Sequence, residues 1–118
     1  MDCVFCKIIA QELPGKFVYE DETVAAIIPI DQVAQGHTLV IPKRHYQDIF
    51  DIDEGVLRDL AVVTKALAKQ LAKENSATGI NLVNANGKDA QQSVFHFHMH
   101  IIPRHPDDGL DMWMKQGL

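Results

Sequence analysis

The chain has 118 residues, 47% of them apolar and 23% charged, with a formal net charge of −5. That is the length of one domain with enough apolar material for one core, which excludes a disordered chain and leaves residues 1–118 as a single unit. The longest apolar run, VAAIIPI, falls far short of the roughly 20 residues that cross a bilayer, and the basic cluster at 43–45 is too short for a general nucleic-acid stripe.

The opening MDCVFCKII carries an acid, no basic n-region and no continuous h-region, so a soluble cytoplasmic protein without membrane or nucleic-acid partners is expected. LPGK at 13–16 marks a turn, followed by a strand around Phe17 to Glu20. The acidic EDE then turns the chain into a second strand over Thr23 to Ile28, and the two form a hairpin. Gly36 precedes HTLVIP, whose β-branched residues predict a strand ended by Pro42. Asp51 or Asp53 can cap a long helix with Glu54 in its first turn. Leu57, Leu60, Thr64, Leu67 and Leu71 recur at three and four, which sets its apolar stripe and predicts an end before Gly79. INLVNA and VFHFHMHII predict two further strands across the polar loop NGKDAQQS. Strands, one long helix and a closing hairpin make an α+β domain with an antiparallel sheet.

The two cysteines, Cys3 and Cys6, are too few for a disulfide framework. A thioredoxin-like redox pair follows a strand, and two preceding residues leave no room for one. Half of a zinc site and an inert reduced pair both remain open. The stretch HFHMHII is more specific: on a strand, His96, His98 and His100 share one face, roughly 7 Å apart in succession, while Phe97, Met99 and Ile101 share the other. Three imidazoles in register serve either a His₃ catalytic zinc or phosphate chemistry through one nucleophile and neighbouring donors. Residues i and i+4 on a strand lie about 13 Å apart, which disfavours one shared metal.

HFHMHII resembles the His-φ-His-φ-His-φ-φ signature of the histidine triad (HIT) family. GHTLVIPKRH at 36–45 resembles that family's G-H-x-L-V-I-P-K-x-H element, and NGKDAQQSV resembles its N-x-G-x-x-A-G-Q-S-V loop. The opening CVFCKIIAQELP is similar to the start of compact bacterial members near the nucleoside phosphoramidase branch, and the likeness runs from Cys3 to about Trp113. The resemblance implies a HIT fold: a five-stranded antiparallel sheet with one long helix and a short helix, assembled as a homodimer. It also implies a hydrolase acting at the α-phosphate of a purine nucleoside monophosphate derivative (a phosphoramidate, ester or anhydride) through a covalent nucleotidyl-histidine. Dinucleoside polyphosphate hydrolysis, or a nucleotide-binding regulatory role with incidental hydrolysis, are the alternatives.

By the same resemblance His98 is the nucleophile, suited to it because neutral imidazole is reactive at pH 7. His100 and Ser93 assist at the phosphate and leaving group, with loop amides around Gln92 and Ser93 as further donors, and His37 supports the triad. Phe5, Ile8, Ile27 and Ile30 match positions that line the family's base pocket. Cys3, Cys6, His45 and His96 match a closed structural zinc site found in some members. Departures fall on nucleoside recognition. Pro29 stands where the family has a ribose-binding aspartate, leaving Asp31 as the expected substitute. Ala85 stands between Asn84 and Asn86 where a nucleotide-contacting amide is common, so those two asparagines are expected at the substrate. Gln91 replaces a small loop residue.

Overall fold

The structure is a computed structural model that describes residues 2–113. In chain order the elements are α1 (Val4–Ile9), β1 (Lys16–Glu20), β2 (Val24–Ile28), β3 (Thr38–Pro42), α2 (Glu54–Glu74), β4 (Gly79–Val83) and β5 (Met99–Arg104). The five strands form one sheet in the order β1-β2-β3-β5-β4, with every neighbouring pair antiparallel. This is the expected α+β architecture, with the first hairpin at its expected turn; β4 ends at Val83 rather than Ala85, so the connection to β5 is longer than the loop NGKDAQQS.

Local chemistry explains the corners. Asp21 makes the β1–β2 turn by accepting from the backbone N–H groups of Thr23 and Val24, at 2.8 Å each. Asp53 caps α2 by accepting from the Val56 N–H at 3.1 Å. Of the predicted stripe, Leu60, Thr64, Leu67 and Leu71 are the buried residues of α2. Gly36, before β3, has φ +85°, and a Cβ there would stand 2.5 Å from the Asn75 side chain, so both backbone freedom and close approach require glycine.

The sheet register sorts side chains into two layers. Ala26 pairs with Val40 and Val40 with Met99, and this face packs under α2 with Leu60, Leu67 and Phe97. One step along each strand, Ile27 pairs with Leu39 and Leu39 with His100, placing that row on the opposite face, where Phe5 and Ile8 of α1 pack. No helix among the described residues is long and apolar enough to cross a membrane.

The fifth strand is shorter at its start than expected. It begins at Met99 rather than Val94: residues 94–96 form a bend, His98 precedes the strand and only His100 lies within it. The alternation nevertheless survives: Phe97 enters the α2 core while His96 and His98 turn to the α1 side, against Phe5. Ladder membership requires a partner strand, and here the Phe97 N–H instead donates to the Tyr46 carbonyl at 2.7 Å.

Candidate active site and metal centre

A cavity of about 820 Å³ lies between α1 and the sheet. Ile27, Leu39 and His100 occupy neighbouring strands in one row, so its floor changes from apolar to imidazole over about 10 Å at the usual strand spacing. Phe5 and Ile8 form the wall, and His37, Ser93, His98 and His100 line one end. Ile30 and Asp31 also line it but sit past the end of β2, with Ile30 98% exposed, so they are rim rather than floor. Asp31 therefore does not ride on a shifted strand; its side chain reaches the cavity from a bend.

Hydrogen bonding determines what each ring presents. His98 Nδ1 lies 2.8 Å from the His96 carbonyl, which can only accept, so Nδ1 carries the proton and Nε2 keeps its lone pair. The Val33 N–H donates to His37 Nδ1 at 3.2 Å. His37 Nε2 must then be the protonated nitrogen, and it donates to His100 Nδ1 at 2.9 Å. His100 is left with its proton on Nε2. The pair thus offers a nucleophile at His98 and a donor at His100, with ring centroids 5.0 Å apart.

Burial reinforces this polarity. Desolvation lowers the pKa of His98 and of His37, and brings His100 down to about 4, with repulsion from His98 and His37 adding to the last. All three rings are neutral at pH 7, the form in which imidazole attacks phosphorus.

His96 faces elsewhere. Its Nε2–H donates to the Pro42 carbonyl at 2.8 Å, which turns the Nδ1 lone pair towards Cys3 Sγ at 3.4 Å and Cys6 Sγ at 3.5 Å. His45 Nδ1 stands 3.4 Å from Cys6 Sγ, and the four ligand atoms all lie within 4.8 Å of one another. A tetrahedral zinc with bonds of about 2.3 Å to sulfur and about 2.05 Å to nitrogen separates S and N by about 3.6 Å, so the set fits that ion. Burial and the neighbouring Cys3 push the Cys6 thiol up to about 11, a shift that a bound dication reverses by stabilising thiolate. The three triad histidines do not converge on one point, so the His₃ alternative lacks a geometry.

Of the residues expected at the substrate, Asn84 and Asn86 bond within the protein, and the Gln92 backbone N–H, expected as a loop-amide donor, bonds to the Gly87 carbonyl at 3.1 Å. The Gln92 side chain is buried, accepts from the Gly87 N–H at 2.8 Å and donates to the carbonyls of Gln47 and Val94. It braces the loop. Asn84 and Asn86 bond to the protein, as described below, and neither lines the cavity. Conversely, Leu39 and Lys16 line the cavity without having been singled out; the pairing of Leu39 beside Ile27 was the available signal.

The chain is thus an α+β domain that presents an unprotonated imidazole nitrogen at the end of an apolar cleft, beside a separate Cys₂His₂ set with the spacing to hold a metal ion. The model of the HIT domain matches residues 10–107, and the chain belongs to that family. It is 45% identical to the protein named Protein hit of Bacillus subtilis over 88% of this chain and 72% of that one. It is 36% identical to Adenylylsulfatase HINT3 of Arabidopsis thaliana over 99% of this chain, which spans 58% of that longer protein. The solved structure of a zinc-bound histidine triad protein from Mycobacterium smegmatis superposes with a TM-score of 0.89 at 38% identity, covering 95% of this chain and 81% of that one.

Proposed function

We propose that this HIT-family domain hydrolyses purine nucleoside monophosphate derivatives at the α-phosphate by way of a nucleotidyl-histidine. The observation that carries the reading is the fixed tautomer pair at the end of the cavity: an unprotonated Nε2 on His98 and an N–H on His100. In the first step His98 Nε2 attacks phosphorus, a P–N bond forms and the bond to the leaving group breaks. His100 Nε2–H hydrogen-bonds to a phosphate or bridging oxygen where charge grows, and Ser93, which lines the same cavity, offers its hydroxyl to a second oxygen or the leaving group. Water then displaces His98, so the nucleoside monophosphate leaves and the imidazole is restored. The apolar floor beside the histidines suits a base and ribose, and the name of the plant relative, an adenylylsulfatase, supports an adenylyl-containing substrate. Steady-state turnover of adenosine phosphoramidate tests the proposal: His98→Ala should lose activity by a thousandfold or more, of the order seen when a nucleophile is removed. Activity within about tenfold of wild type would refute it.

The metal centre is proposed as a structural zinc site. Cys3, Cys6, His45 and His96 would supply all four ligands of a tetrahedral ion and leave no open position for substrate. We further propose a homodimer joined at the edge strand β4, where Leu82 is 53% exposed beside an apolar groove formed by Leu57, Leu60, Ile80 and Met99. Sedimentation analysis tests it. Two free thiols among the described residues are consistent with a reducing, cytoplasmic location.

A further inference from the structure

The β4–β5 ladder ends at the rung Val83↔His100, one residue into β5. Continuing that register would bring Ala85 opposite His98, where a backbone N–H would normally meet the His98 carbonyl. The bond is made by a side chain instead: Asn84 Nδ2 donates to the His98 carbonyl at 2.9 Å. Asn84 Oδ1 in turn accepts from Asn86 Nδ2 at 2.6 Å, and Asn86 Oδ1 accepts from the backbone N–H of Ile49 at 2.7 Å. The direction of the chain is unambiguous. An N–H at Ile49 can only donate and a carbonyl at His98 can only accept, so the orientation of both amides between them is determined.

From this chain we infer that Asn84 and Asn86 are positioning residues for the nucleophile. Resting on the reading of His98 given above, the inference assigns them to the aim of Nε2 rather than to the substrate. His98 is then held at two points: its ring by the His96 carbonyl, and its own peptide by Asn84. Neither asparagine lines the cavity that His98 enters. Misplacing a reacting atom by about 1 Å costs on the order of a hundredfold in rate, so a loosened peptide is expressed in turnover rather than in binding.

The experiment compares Asn84→Asp and Asn84→Ala with wild type on adenosine phosphoramidate. Asn84→Asp has the same shape, but its carboxylate cannot donate to the His98 carbonyl. The expected result is a fall in kcat of about ten- to a hundredfold with KM within about twofold. Protonating the carboxyl restores one O–H donor, so the ratio of Asn84→Asp to wild-type kcat should rise as pH is lowered from about 8 to about 5, and Asn84→Ala should show no such recovery. Asn86→Asp, which still accepts from Ile49 but cannot donate onward, should lose kcat in the same sense and keeps the test open if Asn84→Asp does not fold. A raised KM with kcat unchanged would put these side chains on the substrate and overturn the inference. So would wild-type kcat in both Asn84 variants. Loss of the mechanism itself is read separately, from His98→Ala.

Discussion

Replacing Cys3 and Cys6 together by serine should remove the metal and lower thermal stability while leaving hydrolysis largely in place. Cys3 and His96 are 93 residues apart in sequence. A cross-link closing a loop of that size removes at most about 4.6 kcal/mol of unfolded-chain entropy. A coordinate tether is weaker than that ceiling, because the unfolded chain retains both thiols and binds the ion too, which leaves about 2–3 kcal/mol. At about 4 °C per kcal/mol for a domain of this size, the midpoint should fall by about 10 °C. Catalysis is spared because His96 keeps its bond to the Pro42 carbonyl and its edge-on contact with Phe5, so the carbonyl that orients His98 barely moves. The assay joins metal content by mass spectrometry, calorimetric melting and kcat; about one zinc per wild-type chain and a kcat within about fivefold in the variant are expected. A metal-free variant that melts with wild type would refute the structural role. Loss of the metal from His98→Ala would refute the separation of the two sites.

Four further outcomes follow from the geometry. Because burial lowers the His98 pKa and brings His100 to about 4, the acid limb of kcat/KM should lie below the ordinary imidazole value of 6.5; an acid limb centred at 6.5 or above would contradict it. The same sign governs stability at His100: a histidine whose folded pKa lies below its unfolded value binds fewer protons folded, so its contribution is full above about 6.5 and is lost as pH falls towards about 4, which acid titration of the melting midpoint will register. Asp31 meets the cavity only from its rim and Pro29 offers neither carboxylate nor N–H, so ribo- and 2′-deoxyribonucleotide substrates should differ by less than about fivefold in kcat/KM; a hundredfold ribo preference abolished by Asp31→Ala would show that the aspartate holds the diol after all. Gln91 sits in the left-handed region at φ +67°, which costs a non-glycine residue about 1–2 kcal/mol, so Gln91→Gly should raise stability by about 0.5 kcal/mol after the greater freedom of glycine in the unfolded chain is subtracted; a loss of 1 kcal/mol in denaturant titration would contradict it.

Much of the site was legible because alternation and spacing are local properties. The facing of His96, His98 and His100 is read from alternation alone, and the stripe of α2 from a helical period. The start of β5 is not legible in the sequence, since ladder membership depends on partner strands: the β4 ladder stops at Val83↔His100 and the β3 ladder at Val40↔Met99. The short helix was expected but had no place on the chain; at Val4–Ile9 it is too short to show a period, and its Cys-x-x-Cys reads as chemistry first. Asn84, Asn86 and Gln92 are expected at the substrate only from their places in the family's loop motif. Their amides are consumed by carbonyl and N–H groups that loop closure brings together, and no pattern in one sequence shows such pairings. The tautomers were likewise hidden, since the His96 carbonyl and the Val33 N–H that decide them are backbone groups.

The covalent step is tested most directly by intact-mass analysis of enzyme quenched within one turnover of a nucleoside phosphoramidate, with peptide mapping of any adduct. The account predicts one nucleotidyl group on His98 in wild type and none in His98→Ala. Turnover at the wild-type rate with no adduct at any quench time, or an adduct mapped to another residue, would contradict it.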